Sequence, residues 1–183
     1  MTRRTATILL APVLCGLTAL AACTPAIVPD PGGHRPATPP PAPRPVPPVA
    51  QGPDWEDWQV APGNWTYARA SGITIARFGV GGAVSAWVRC DLGARSVSVG
   101  RAAQSGNGTA MMTVRTSFGA LQWPTRIAGG ATPGTEAARG ASDPGLDQIA
   151  FSRGRFTIEL PGLAPLVLPT WAEPVRVIED CRG

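Results

Sequence analysis

From residue 55 onward the chain contains short runs in which apolar and polar residues alternate, the pattern of strands with one buried face. The clearest alternation spans residues 73–77, and residues 96–99 show the same period of two. Gly, Asn, Ser and Pro separate these runs, as in antiparallel β proteins. The pattern predicts strands over residues 65–69, 73–78, 83–91, 96–101, 111–118, 155–160 and 166–168.

The connections between these runs have different compositions. Residues 92–95 (LGAR) predict a hairpin turn between two of the strands. Residues 126–142 are rich in Gly, Ala and Thr, and this composition predicts a mobile surface loop.

A short helix is predicted after this loop. Ser142 or Asp143 supplies an N-cap, and Pro144 stands near the first helical position, so we expect a helix that extends to about Phe151.

A second helix is predicted at the C-terminus. Thr170 and Glu173 have the T-x-x-E spacing of a capping box, and Pro174 falls in the first turn, where proline is tolerated. An apolar stripe with three-residue spacing runs from Val175 to Cys181. The predicted fold class is therefore mainly β: a small antiparallel sandwich or partly open barrel over residues 55–183, with one short helix and a C-terminal helix.

The N-terminal region has the layout of an export signal. Arg3 and Arg4 precede an apolar run over residues 8–19, which is shorter than the roughly 20 residues that span a bilayer. The run ends in LAAC at residues 20–23, which resembles the signal of bacterial lipoproteins. The resemblance implies removal of residues 1–22 and lipidation of Cys23. An ordinary secretory signal that happens to precede a cysteine is the alternative.

The resemblance also bears on location. Thr24, rather than aspartate, follows the cysteine, and in lipoproteins of the enteric type this favours the outer membrane. We therefore expect a protein of the bacterial cell envelope, anchored by lipid to a membrane that faces the periplasm.

Residues 23–54 form a predicted tether. Residues 24–53 hold twelve of the 21 prolines, and such a segment favours an extended polyproline II conformation. At about 3.1 Å per residue it would reach on the order of 90 Å. A PxxP ligand for a partner domain is the alternative interpretation. His34, the only histidine, lies in this tether and is expected to be solvated.

The charge of the chain gives no indication of nucleic-acid binding. All 16 basic residues are arginine, and loss of Arg3 and Arg4 with the signal lowers the formal net charge from +4 to +2. Nucleic-acid binders have a clustered basic patch or stripe, and no compact arginine run occurs here.

The four cysteines differ in their expected roles. Cys15 leaves with the signal and Cys23 carries the lipid, so Cys90 and Cys181 remain as a predicted disulfide in an oxidising compartment. A redox-active or metal-binding pair is the alternative, but the chain has no C-x-x-C spacing and the domain has no histidine. We expect neither a metal nor a cofactor.

Several segments resemble a protein family. The run WVRC at 87–90 before a hairpin, FTIELPGL at 156–163, and the segments 150–156 and 177–182 resemble small exported lipoproteins of alphaproteobacteria, of the sphingomonad type. In general layout the chain is also similar to periplasmic accessory domains associated with type VI secretion. The resemblance implies a disulfide-closed, sandwich-like β fold, and it supplies no catalytic residues.

The residue inventory argues against catalysis. The domain has neither histidine nor lysine, so Ser-His, Cys-His and Ser-Lys nucleophiles cannot be assembled within it. Carboxylate pairs such as Glu56/Asp57 and Glu179/Asp180 remain, but neighbouring residues point apart and are typical of a solvated surface. We expect that the chain is not an enzyme.

Five residues are candidates for binding. Trp55, Trp58 and Trp65 cluster at the start of the domain and are suited either to stacking on a sugar or anchoring a partner, or to closing one end of the core. Arg153 and Arg155 are suited to gripping a carboxylate or phosphate.

These arginines also have a structural interpretation, in which they pair with nearby acids such as Asp147 or Glu159. The function expected from the sequence is that of a non-catalytic, monomeric envelope lipoprotein whose tethered domain binds or supports an envelope protein complex or peptidoglycan. A carboxylate-dependent glycan hydrolase and a secretion-system accessory protein are the alternatives.

Overall fold

The computed structural model describes residues 54–106 and 109–183. The predicted signal, the lipidation of Cys23 and the proline-rich tether concern residues before Asp54, outside the described part.

The described chain begins with a 3-10 helix at Trp55–Asp57. Its strands are β1 (Asn64–Ala70), β2 (Ile73–Val80), β3 (Ala83–Asp91), β4 (Ser96–Arg101), β5 (Met111–Thr116), β6 (Gly119–Pro124), β7 (Arg126–Ala128), β8 (Gly134–Gly140), β9 (Arg155–Glu159) and β10 (Leu166–Pro169). Its α-helices are α1 (Pro144–Ala150) and α2 (Ala172–Arg182).

The strands form two antiparallel sheets. One has six strands in the order β1-β2-β3-β4-β8-β7, and the other has four in the order β10-β9-β5-β6. The sheets do not close into a barrel, so the mainly β fold class is confirmed in its sandwich-like form.

One apolar core lies between these elements. The six-stranded sheet contributes Phe78 and Val88 from its inner face, and the four-stranded sheet contributes Phe156 and Ile158, all 0% exposed. Both helices contribute to the same cluster through Leu146, Ile149, Val177 and Ile178. Each such side chain stabilises the fold by roughly 1.5–3 kcal/mol through loss of contact with water.

Helix α2 packs mainly against strands β1, β2 and β3. Near its end Cys181 is bonded to Cys90 of β3, with a Cα–Cα distance of 5.6 Å, which confirms the predicted disulfide. Within the described residues, neither helix has the length and apolar character needed to cross a bilayer.

Helix α1 begins as predicted. The Asp143 side chain accepts a hydrogen bond from the Gly145 amide at 2.8 Å, and Pro144 is the first helical residue. Proline is tolerated there because an N–H at this position would have no partner within the helix.

The predicted capping box at Thr170 and Glu173 is wrong. Helix α2 begins one residue later, with Trp171 at its N-cap and without a side-chain capping hydrogen bond. The Thr170 amide donates instead to the Gly154 carbonyl at 3.1 Å, and the Thr170 hydroxyl is buried without a hydrogen-bond partner. The threonine is thus held by the neighbouring turn rather than by the helix.

The predicted loop over residues 126–142 is also wrong in its larger part. This segment contains β7 and β8, which pair with each other and extend the six-stranded sheet. Strand β6 was not predicted either. The small residues that suggested a loop are required in β8, because a Cβ at Gly134 would lie 2.1 Å from the Arg101 carbonyl oxygen.

Candidate functional site

The three predicted tryptophans occupy different environments. Trp65 is 4% exposed and stacks near two core rings, with centroids 5.3 Å from Phe78 and 6.5 Å from Phe156. Its indole N–H donates to the Pro169 carbonyl at 2.8 Å. The core-closing interpretation therefore applies to Trp65, whose face is not available to a ligand.

Trp55 and Trp58 are partly exposed, within and directly after the 3-10 helix. The Trp58 carbonyl accepts a hydrogen bond from the Arg155 guanidinium at 2.9 Å. This contact joins the start of the domain to strand β9, so Arg155 has a structural role.

The predicted pairing of Arg153 and Arg155 with Asp147 or Glu159 is wrong. Asp147 pairs with Arg182 at 2.7 Å, and Glu159 pairs with Arg115 at 2.6 Å. Arg153 is exposed in the turn before β9, where its amide donates to the Ser117 hydroxyl at 3.1 Å. The structure does not bring the five candidate residues together into one site.

A different surface has the features of a binding site. A groove of about 880 Å³ runs beside the start of α2; we call it the α2 groove. It is lined by Tyr67, Ala150, Thr170, Trp171, Ala172, Glu173, Val175, Arg176, Glu179 and Asp180. Trp171, at the helix N-cap, leaves 42% of its surface exposed there.

One wall of the α2 groove is fixed by three side chains. The Tyr67 hydroxyl donates to the Asp180 carboxylate at 2.7 Å, and the Arg176 guanidinium lies 4.2 Å from the centre of the Tyr67 ring. The hydrogen bond to Asp180 raises the pKa of Tyr67 above its ordinary value of 10, because loss of the proton would place two negative charges together. The Tyr67 hydroxyl therefore keeps its proton and remains a hydrogen-bond donor throughout the physiological pH range.

The groove combines an exposed aromatic face with hydrogen-bonding groups. Glu173, Glu179 and Asp180 provide acceptors, and Arg176 provides donors. An indole face packs on the C–H face of a sugar ring, while carboxylates and guanidinium bind its hydroxyl groups. The α2 groove thus has the chemistry of a glycan-binding surface.

The carboxylate pairs are not placed as a hydrolase pair. Glu56 and Asp57 are exposed in the 3-10 helix, while Glu179 and Asp180 are successive residues of α2, about 100° apart around its axis. Asp180 is already bonded to Tyr67. Within residues 54–106 and 109–183, no group of three or more His, Cys, Asp or Glu side chains is arranged to hold a metal ion.

Sequence reasoning missed Trp171 and Tyr67. They stand far apart in the sequence and line one groove because α2 docks on β1. The local signal was a tryptophan in the first turn of the predicted helix, outside its predicted apolar stripe.

Comparisons with known proteins add no constraint. No protein-family model matches the chain, and neither curated proteins nor solved structures give a significant match.

Proposed function

We propose that this chain is a lipid-anchored protein of the bacterial envelope, and that its domain at residues 55–183 is a non-catalytic module that binds a cell-wall glycan in the α2 groove. The observation that carries the proposal is the half-exposed indole of Trp171 beside acceptors and donors on one helix. The export signal and the proline-rich segment at residues 1–54 support an envelope location with reach beyond the membrane.

Glycan binding fits this groove better than docking of an apolar protein surface. Three carboxylates and one guanidinium line it, and burying them against an apolar partner would cost their hydration without new partners. Sugar hydroxyl groups replace that hydration with hydrogen bonds, and the ring's C–H face covers Trp171.

The proposal is tested with N-acetylglucosamine oligomers and a soluble disaccharide-peptide fragment of peptidoglycan. The protein used is the chain from residue 23 with Cys23→Ser, which cannot carry the lipid. Calorimetry measures affinity, and we expect Trp171→Ala to weaken binding by about tenfold because the stacking face is lost.

Phe151→Ala is the matched control. Phe151 is an exposed aromatic residue, with 67% of its surface exposed, outside the lining of the α2 groove. Equal weakening by both substitutions, or no binding of either glycan, would reject the α2 groove as a glycan site. Release of reducing ends from purified cell wall, abolished in Glu179→Gln, would instead identify a hydrolase.

The anchor has its own test. Cys23→Ser is expected to move the protein from the membrane fraction to the soluble fraction and to abolish labelling by a fatty-acid analogue, because the thioether cannot form. Retention of the label in this variant would contradict lipidation at Cys23.

A further inference from the structure

The outer face of the six-stranded sheet, which points away from the core and α2, holds a second recess. We call it the outer-face pocket. Its volume is about 260 Å³, and its lining includes Ile75, Arg77, Trp87, Arg89, Glu136 and the residues 128–132 that connect β7 with β8. Arginines are ordinary on the solvent-facing side of an antiparallel sheet, but a buried indole and a buried acid are not.

Trp87 forms the floor of this pocket. Only 4% of its surface is exposed, although it faces away from the main core and belongs to a separate small cluster with Ile75 and Ala128. The sheet makes room for the ring with glycine: Gly100 pairs with Trp87 across β3 and β4, and a Cβ there would lie 2.1 Å from the indole. The recess is therefore built into the backbone.

Glu136 lies beside this indole and is 4% exposed. Its carboxylate accepts hydrogen bonds from Arg126 at 2.8 and 3.0 Å, and from the Trp87 indole N–H at 3.3 Å. Both Arg126 donors bind one oxygen of this carboxylate and the indole binds the other, so the position of the carboxylate is fixed. Glu136 is thus neutralised by Arg126 and fixes the Trp87 ring.

The two remaining arginines have no such partner. Arg89 approaches Glu136 only to 4.0 Å, with 35% of its side chain exposed. Arg77 lies on the next strand, and among the described residues its guanidinium forms no ion pair. Arg77 and Arg89 therefore line the pocket with a single carboxylate, Glu136, which Arg126 already binds, and the pocket has an excess of positive charge.

We propose that the outer-face pocket binds the C-terminal carboxylate of a peptide whose last residue is small and apolar. Arg77 and Arg89 supply planar forks of N–H donors that match a carboxylate, which is the charge the pocket lacks. The volume, and an apolar lining in which Ile73 and Ala131 are more exposed than the largely covered Ile75 and Trp87, admit a methyl-sized side chain next to it. This site lies on the opposite face of the sheet from the α2 groove and does not depend on glycan binding there.

The test uses acetyl-Ala-Ala as the probe and its C-terminal amide as the neutral control. The chain from residue 23 with Cys23→Ser is titrated, and the indole N–H resonance of Trp87 is followed by NMR. We expect the carboxylate peptide to shift this resonance saturably, and the amide to bind at least tenfold more weakly. The double substitution Arg77→Gln/Arg89→Gln is expected to weaken the carboxylate peptide by tenfold or more.

Arg69→Gln/Arg153→Gln is the charge-matched control for the double substitution, since both residues are exposed and lie outside the lining of this pocket. Urea unfolding checks that the double variant remains folded. We expect that it does, because Arg77 and Arg89 are both partly exposed. Equal binding of acid and amide, or unchanged binding in the double variant, would overturn the proposal. Inorganic phosphate that binds as tightly as acetyl-Ala-Ala would overturn the role of the apolar floor.

Discussion

The inner and outer faces of the six-stranded sheet both bury large side chains, but they do so by different means. On the inner face Phe78 and Val88 are covered by helices and by the second sheet, so their burial is that of an ordinary core. On the outer face Trp87 is buried beside a charged pair in a recess made by Gly100. Burial alone therefore does not distinguish a residue that stabilises the fold from one that shapes a proposed binding site.

The largest expected effect is loss of the disulfide, which fastens α2 to the inner face. The double substitution Cys90→Ala/Cys181→Ala releases a constraint on a loop of 91 residues. We expect the free energy of unfolding to fall by about 4 to 5 kcal/mol, because the unfolded chain regains its freedom. Urea unfolding with and without reductant measures it, and a change below about 1 kcal/mol would contradict the assignment of stability to this face.

The second prediction concerns the core side chains. Phe78→Ala on the inner face is expected to cost about 3 to 5 kcal/mol, since the cavity cannot collapse between two sheets. Val80→Ala, on the same strand but 58% exposed, is the control and is expected to change stability by less than about 0.5 kcal/mol. Similar losses in both variants would remove the distinction between the core and the end of the strand.

The third prediction probes the outer face. Gly100→Ala forces the Trp87 ring to move, and the strain is expected to cost about 1 to 3 kcal/mol. The same variant should lose the response of the Trp87 indole resonance to acetyl-Ala-Ala. Gly140→Ala is the matched control in β8, because a Cβ there meets nothing within 4 Å. Retained peptide binding in Gly100→Ala would show that the recess is not required.

The smallest expected effect is a pH dependence on the side of the sheet covered by α2. Because the hydrogen bond to Asp180 raises the pKa of Tyr67, the folded state holds this proton more tightly than the unfolded state. Stability is therefore expected to decline as pH rises above about 10, and Tyr67→Phe should remove that part of the decline. Unfolding curves between pH 8 and 11 measure it, and an identical decline in Tyr67→Phe would contradict the role of this contact.

Strands with a clear two-residue period were predictable from the sequence. Strand β2 forms where the alternation predicted it, but its burial does not alternate: Thr74, Ile75 and Ala76 are all buried, because the outer face carries the small cluster of Ile75, Trp87 and Ala128. The N-cap at Asp143 was predictable for a similar reason, since the capping bond is made within three residues. The disulfide followed from counting the cysteines of a chain that was predicted to be exported.

Strand β8 and both proposed binding surfaces were not predictable, because each depends on residues that are distant in sequence. Gly134 and Ala137 belong to a strand because β8 pairs with β4 and β7, where small residues fit beside Trp87 on one face and in the core on the other. Likewise, the position of Glu136 beside the Trp87 indole depends on strand register, which pairs Glu136 with Gly100 and with Arg126. The periodicity of the sequence does not reveal this register. Trp65 was ambiguous for the same reason, since its contacts with Phe78, Phe156 and the Pro169 carbonyl place it in the core, and all three are distant in sequence.

The disulfide also determines how the domain would respond to mechanical load. A force applied through residues before Asp54 enters at β1, an edge strand that lies outside the covalent loop closed by Cys90 and Cys181. When the opposing force acts near the end of α2, such a force can draw out residues 54–89, on the order of 120 Å when fully extended. The load then passes from Cys90 to Cys181 through the sulfur–sulfur bond. Strands β4–β10 and α1 lie within that loop, so under tension the covalent bond shields them from the load.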